Sequence, residues 1–498
     1  MEQETFGMLS IVPPLLAIGM AIATRQIILS LLGGVWVGWV IHAGGNPMVG
    51  TAEAVTALVD VFIDPGQTRI IIFTMLMGSL LILMKRGGGI DGFLGWVSQW
   101  TWSQTRRGAQ LMASFIGLGV FIDGTITCLV VGTVSRPLFD KLRISREKLA
   151  YICDSTSAPV CILIPFNSWG ATVLGLLSAQ AALGNLGDSS PLAVFVAAVP
   201  MNFYALVTVL LVFIVSATNW NIGPMKTAER RAVEEGKVLA DNARPVVDDE
   251  VIMIARKAEA TPRLGNMLVP LLALVAMVIA GIGITGSAGV RAEAIADPGL
   301  MDYLNHASGS TSVLWGVLLA LTLAAAMSLQ QKIFSMQEMV DLSFKGAGGM
   351  LSLAVLLVLS FAIGDVCDAL GTGAWAASRV QPFLTPILVA PLVFLVSAFI
   401  AFSTGTSWGT FAIMISLAVP LVATFNTETA VVSLPLVISA VLGGGVFGDH
   451  CSPISDTSVI SSMAAASDHI DHIRTQLPYA LLAGVVAFGM YLVAGLVL

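Results

Sequence analysis

Charge is what this chain has least of. Only 11% of its 498 residues are Asp, Glu, Lys or Arg, where a soluble domain carries roughly a quarter. Against that scarcity stand 56% hydrophobic residues and a mean hydropathy of +0.88. Apolar runs of about 20 residues recur, as polytopic membrane proteins require. Cysteine is sparse as well: Cys128, Cys153, Cys161, Cys367 and Cys451 are odd in number, unpaired in spacing, and placed in or beside apolar runs. That pattern excludes a disulfide framework and a zinc site. No glycine-rich nucleotide loop is present, which leaves an ion gradient as the expected energy source. The opening Met1-Glu2-Gln3-Glu4 lacks the basic region of a cleavable signal. The formal charge of −7 says little about partners, because its distribution matters more than its sum.

What the chain does have is a polar block where an apolar run ends. Gly443-Gly-Gly-Val-Phe-Gly-Asp449-His450-Cys451-Ser452-Pro453-Ile-Ser455-Asp456-Thr457 closes a stretch that begins near Val431. Ionisable groups at membrane depth are costly and persist mainly where they line an ion or substrate path. The glycines permit close backbone approach and Pro453 removes a helix hydrogen bond, so a helix break is expected here. Unwound backbone facing a cavity frees carbonyls that can hold a cation.

Basic residues orient the rest, since Lys and Arg favour the cytoplasmic side. Spans are expected near 8–24, 26–42 and 68–84, with Arg25 and Lys85-Arg86 inside; the connection 43–67 has no Lys or Arg. Arg106-Arg107 precede the apolar stretch 108–134, and Arg136, Lys141, Arg143, Arg146 and Lys148 follow it. Two cytoplasmic flanks make this a re-entrant helical hairpin with Phe121-Ile122-Asp123-Gly124-Thr125 at its tip, a conventional span being the alternative. An interrupted segment 149–178 crosses outward and 191–216 returns. Residues 217–263 carry eight basic and eight acidic residues and read as a solvated cytoplasmic linker, with helix around 229–237. Spans near 267–289, 310–328 and 349–370 follow. A second hairpin, 383–423, has Phe402-Ser403-Thr404-Gly405-Thr406 at its tip; the interrupted segment 431–467 and the span 478–498 complete the chain.

The expected fold is therefore an all-α polytopic membrane protein: about ten transmembrane helices and two re-entrant hairpins in two inverted-topology repeats. The first repeat covers 1–216, with its hairpin at 108–134 and broken helix at 149–178. A linker covers 217–266. The second repeat covers 267–498, with its hairpin at 383–423 and broken helix at 431–467. Phe-x-x-Gly-Thr occurs at both tips, and Asp154 precedes Pro159 much as Asp449 precedes Pro453. The tip-to-aspartate spacing differs, 33 residues against 47. Paired broken helices in inverted repeats place a binding site at the midplane.

These residues carry a resemblance. Gly448-Asp-His-Cys-Ser-Pro-Ile-Ser-Asp-Thr457 with Asp468-His-Ile-Asp-His-Ile-Arg-Thr-Gln-Leu-Pro-Tyr479 resembles the signature of NhaC-type sodium/proton antiporters. Arg136–Tyr151 running into Asp154–Pro159, and Asn167-Ser168-Trp169-Gly170, are similar to that family too. The resemblance implies the ion transporter superfamily, whose better-known folds are elevator-type and oligomeric, and hence a homo-oligomer. It implies exchange of Na+ or another monovalent cation for H+ at a bacterial cytoplasmic membrane, with no cofactor and no enzymatic chemistry. A proton- or sodium-coupled exporter of a drug or small organic molecule on the same fold is the rival. The expected partners are small ions or such a molecule and the lipid bilayer, with no nucleic acid.

Asp449 and Asp154 are the leading candidates for a carboxylate that binds a cation and a proton in alternation; the competing role for each is to cap its broken helix. Asp456 either ligates an ion or, with Ser455, caps the next segment. Asp123 either carries a proton or is held by neighbouring amides. Ser155, Thr156 and Ser157 offer hard oxygen donors suited to sodium, as do Ser452 and Thr457 in the second half. Asn167, Ser168, Thr404, Thr406 and Ser407 are candidates to complete the cavity, and His450 to tune its pH response. Trp169 and Trp408 are packing residues unless the substrate is organic. Asp468-His469-x-Asp471-His472 is assigned to the cytoplasmic surface, and its spacing is not a closed tetrahedral metal set.

Overall fold

A computed structural model of the chain describes residues 6–24, 26–97, 104–121, 123–245, 257, 260–295, 298–372, 375, 385–425 and 432–497. Ile122 of the first tip, 246–256 of the linker and 383–384 of the second hairpin lie outside the described residues, as does the side chain of Asp456. The first half holds α1 (Val12–Thr24), α2 (Ile27–His42), α3 (Pro47–Asp60), α4 (Pro65–Arg86), α5 (Gly89–Val97), α6 (Arg106–Gly119) and α7 (Gly124–Lys141). It continues through α8 (Arg146–Ser155), α9 (Ala158–Cys161), α10 (Ser168–Ala182), α11 (Pro191–Ala198) and α12 (Phe203–Thr218). After α13 (Gly223–Glu234) come α14 (Gly265–Ala292), α15 (Leu300–Asn305), α16 (Gly309–Gln330), α17 (Met336–Gly349) and α18 (Leu351–Ala369). The last are α19 (Pro386–Thr404), α20 (Ser407–Phe425), α21 (Leu434–Cys451), α22 (Asp456–Ala465) and α23 (His469–Val497).

Among the described residues there is no strand, only an isolated bridge between Pro245 and Asp468. Among the described residues, eight helices are long and apolar enough to cross a membrane. Two of the elements that went unread in the sequence have clear start signals. Residues 47–60, taken as connection, form α3, started by the Asn46 side chain accepting from Met48 N and Val49 N ahead of Pro47. Residues 336–349 form α17, begun by a capping box of Ser335 and Glu338.

Both regions expected to be interrupted are broken, for local reasons. Ser145 caps α8, which stops after Ser155; Pro159 sits in the first turn of the short α9, and Asn167 starts α10. On the other side α21 ends at Cys451, Pro453 follows, and Ser455 caps α22 through Ser458 N. Helices α6 and α7 fold back on each other, and their far ends meet: the Arg106 guanidinium donates to Leu142 O at 2.9 Å and to Arg143 O. Between α19 and α20, Gly405 adopts φ +72°, a left-handed conformation that favours glycine.

Helix α21 is seated directly on α19. A side chain at Gly444 would meet Phe394 O, and one at Gly448 would run into Ala398 O. The cluster of glycines in the signature therefore sets helix separation as well as allowing a break. Gly448→Val is expected to force α19 and α21 apart and to lower the melting temperature in detergent by several degrees or abolish membrane accumulation. Gly95→Ala, at a position where an added methyl meets nothing, should leave both unchanged.

The linker departs from the solvated reading. Helix α13 begins at Gly223 and is tied to the starts of α6 and α8 by ion pairs whose carboxylates are buried. The nearly buried Glu229 accepts from Arg106 Nη2 at 2.7 Å and Ser145 N at 2.8 Å, with Lys148 Nζ at 3.9 Å. Arg231 pairs with the buried Glu147 at 2.6 Å. Residue types revealed the charges here; their partners, 84 and 123 residues away, were out of reach.

Candidate functional site

The ends of the two broken helices bring a carboxylate each into the protein interior. Asp154, in the last turn of α8, is fully buried; Asp449, in the last turn of α21, is 1% exposed. Asp154 Oδ2 accepts from Ser458 Oγ at 2.7 Å and Gln476 Nε2 at 2.6 Å, and His472 Nε2 lies 3.4 Å away. Its Oδ1 is 4.0 Å from His450 Nε2. Asp449 Oδ2 is within reach of Ser407 Oγ at 3.1 Å and Thr457 Oγ1 at 3.4 Å. Thr457 and Ser458 are consecutive, so the start of α22 serves both acids, one from each half of the chain.

A network of neutral groups holds this arrangement. Gln476 Nε2 also reaches His450 O at 3.0 Å, and His450 Nδ1 meets the buried Tyr204 OH at 3.1 Å. Ser455 and Thr457 hydroxyls lie 3.1 Å apart. Hydrogen bonds of this kind keep a buried carboxylate tolerable where an unsatisfied one would cost several kcal/mol. None of Ser458, Gln476 or Tyr204 was singled out in the sequence. The available signal was His472 and Gln476 four apart on one face of α23.

The remaining candidates separate by role. Ser157 Oγ donates to Asp154 O at 2.8 Å and Thr156 Oγ1 to Ile152 O at 2.7 Å, closing the turn at the break; Ser155 is buried beside them. Asn167 braces the break: Nδ2 donates to Phe121 O and Cys161 O, both at 2.8 Å, while Oδ1 caps α10 through Gly170 N. Ser168 is buried at the start of α10. Ser452 does for the second half what Asn167 does for the first, donating to Phe402 O at 2.8 Å. Thr404 Oγ1 donates to Ile400 O at 2.9 Å. Asp456 is the first residue of α22. Asp123 caps α7 through Ile126 N at 3.2 Å.

The cluster assigned to the cytoplasmic surface divides. His472 is completely buried next to Asp154. His469 spans the second break, with Nε2 2.8 Å from Pro453 O and Nδ1 3.0 Å from Ser462 Oγ. Asp468 takes up the first N–H groups of α23, from Ile470 at 2.9 Å and Asp471 at 3.0 Å, together with Arg244 N at 2.8 Å. Among the described residues no group of three or more His, Cys, Asp or Glu could hold a metal ion. Partial burial of Asp468 opposes its charge, but the three backbone donors outweigh it and hold the carboxyl below its ordinary range. Its contribution is thus present above the unfolded value, about 3.9, and disappears as pH falls through the lower folded one. Asp468→Ala should lower the melting temperature at pH 7, a cap being worth about 1 kcal/mol, and have little effect near pH 2.

A cavity of about 650 Å³ opens beside both tips, lined by Asp123 and Thr125 from the first and Thr406 and Trp408 from the second. Helices α4, α17 and α18 form its other wall, contributing Lys85 and Lys345. Trp408 packs on Trp169 with ring centroids 4.3 Å apart. Asp154 and Asp449 do not line it.

Residues 160–496 match the Na+/H+ antiporter family, a stretch that includes Asp449, His450, Ser458, His472 and Gln476 and leaves out the first tip and Asp154 to Ser157. The chain belongs to that family. As a Na+/H+ antiporter family member it is an integral membrane protein built for secondary transport, working with transported ions and not with a bound cofactor. An uncharacterized protein of Haemophilus influenzae is 33% identical over 494 residues, 98% of this chain and 90% of that one. The arginine/ornithine antiporter ArcD of Halobacterium salinarum is 32% identical over 148 residues, 30% of this chain and 29% of its own. In fold, this antiporter is similar to the YdaH transporter of Alcanivorax borkumensis, with a TM-score of 0.57, 12% identity, and 89% and 88% of the two chains covered.

Proposed function

We propose that the protein exchanges Na+, or another monovalent cation, for H+ across a bacterial cytoplasmic membrane by alternating access. The observation that carries this reading is the pair of buried carboxylates, Asp154 and Asp449, held by adjacent hydroxyls at one helix start. A buried carboxylate is stable either protonated or neutralised by a cation, and a site that cannot hold both at once couples the two flows in opposite directions. Asp456, with its neighbours at the start of α22, and the hydroxyls of Ser407 and Thr457 are the proposed oxygen partners of the ion.

Two inverted repeats are the proposed framework, with a hairpin and a broken helix in each. In support, the phenylalanine carbonyl at each tip is gripped by a side chain from the following broken segment, Asn167 on Phe121 and Ser452 on Phe402. Helix α12 packs on α6 as α23 packs on α19, and α22 packs on α7 as α10 packs on α20. The hairpins and broken helices would move together against α1–α4 and α14–α18, the scaffold that forms the homo-oligomer contact. Pulsing proteoliposomes with sodium while an internal dye reports pH tests the exchange, and no proton movement with sodium, lithium or potassium would overturn it.

The cavity supports a second reading, transport of an organic molecule on the same fold. Its volume of about 650 Å³ falls within the range of roughly 300–1,000 Å³ for small-molecule sites and far exceeds a bare cation. The Halobacterium relative is by name an exchanger of amino acids.

A further inference from the structure

We propose that the cavity beside the hairpin tips binds an organic zwitterion of amino-acid to dipeptide size, its ammonium on Asp123 and its carboxylate toward Lys85 and Lys345. This deepens the organic-substrate form of the antiporter reading and rests on it. The lining is apolar apart from a few polar groups: one acid, two lysines and the hydroxyls of Thr125, Thr406 and Ser352. Few polar groups on an apolar wall is the composition of a site that orients a small molecule.

The charges define the ligand. A lone carboxylate would recruit an amine, and two lysines alone would recruit an acid; both signs in one cavity fit a molecule carrying both. Asp123 uses Oδ1 to cap α7 at 3.2 Å, and an ionised carboxylate has about four acceptor positions, so capacity for an ammonium remains. Trp408 is only half-buried; its ring is backed by Trp169 and borders the same space. An indole face within about 6 Å of a cation adds attraction. Gly78 and Lys85 both line the cavity, and seven residues of helix span about 10 Å, room for more than a single amino acid.

The site differs from the buried carboxylate pair. Asp154 and Asp449 are sealed, whereas Asp123 is half-buried and Thr125 exposed to the cavity. A coupling ion and an organic substrate can therefore occupy separate places in one transporter. Both hairpin tips touch the cavity, so a ligand there contacts the elements whose movement the transport cycle requires.

The test is tryptophan fluorescence of the full-length protein in lipid nanodiscs, titrated with L-leucine, L-leucyl-L-leucine, N-acetyl-L-leucine and L-leucinamide. Saturable quenching by L-leucine or the dipeptide is expected, with the N-acetyl and amide compounds at least tenfold weaker. Asp123→Asn should weaken zwitterion binding tenfold or more; asparagine caps helices as well as aspartate does, so the melting temperature should hold. Lys85→Gln with Lys345→Gln should bring the amide and the free acid to equal affinity. No saturable response to either zwitterion, or capped compounds binding as tightly as free ones, would overturn the inference. Sodium-driven proton flux is measured on the same preparation. Flux without zwitterion binding removes this inference and leaves the exchanger; binding without flux upholds the site while removing the sodium exchange.

Discussion

Asp154→Asn and Asp449→Asn should each abolish sodium-driven proton movement in proteoliposomes, reducing the initial rate at least a hundredfold. An amide keeps the shape of the carboxylate but can neither release a proton nor neutralise a cation. The amide and alanine variants at position 154 should part company in stability. At position 154 the Oδ2 acceptor is met by Ser458 and Gln476 donors, and an asparagine oxygen can accept the same bonds. Its NH₂ group then faces the His450 side, where Asp154 Oδ1 now stands 4.0 Å from Nε2. Asp154→Asn should therefore fold and fail only in transport. Asp154→Ala removes the acceptor for both donors and leaves buried polar groups unpaired, at about 1–3 kcal/mol each. It should melt well below wild type. An active Asp154→Asn would sink the role of this carboxylate, because the proton it is asked to carry would have no place on the amide.

A subtler result concerns Gln476, which touches Asp154 Oδ2 and His450 O together. Nothing about a glutamine near the start of a long helix draws notice, and its partner lies 322 residues earlier. What could be read in the chain was what is rare in its setting: an aspartate inside an apolar run, a proline after it, glycines before it. Those features located both helix breaks and both acids, because each has a local physical cost that marks it. Ser458, Gln476 and Tyr204 are common in helices and cost little alone, so their function exists only in contact. The same limit explains His472. Its neighbour Arg474 assigned it to the surface, yet one turn of helix turns it inward to the carboxylate while Asp468 remains outside as a cap. Asn167 reads as a candidate to complete the cavity; its bond to Phe121 O, 46 residues earlier, is equally out of reach of its neighbourhood in the sequence. Much of the difference between the short tip-to-aspartate spacing in the first half and the longer one in the second lies in the helix that carries the acid: α21 has 18 residues where α8 has 10.

Glu229→Ala should be the most destabilising substitution outside the membrane core. Glu229 accepts from Arg106 and from Ser145 N, and lies 3.9 Å from a Lys148 ammonium whose side chain is completely buried and which donates to Asn221 Oδ1 at 2.7 Å. Removing one partner of a buried pair costs about 3–5 kcal/mol, because the surviving charge is left in a poor solvent. The expectation is a large fall in melting temperature in detergent, accompanied by loss of protein from the membrane. Lys148→Met on the Glu229→Ala background should restore much of the loss, since it removes the stranded charge and keeps the volume. Arg106→Met should restore less, because that guanidinium is partly exposed and keeps its bonds to Leu142 O and Arg143 O. If the double variant with Lys148→Met is no more stable than Glu229→Ala alone, the buried ammonium is not what the glutamate is there to balance. Through Glu229, α13 holds both Arg106 at the start of α6 and Ser145 at the start of α8. If these helices move as one body, as proposed, a variant rescued in stability should still transport more slowly, because the tie between them at this end would be gone.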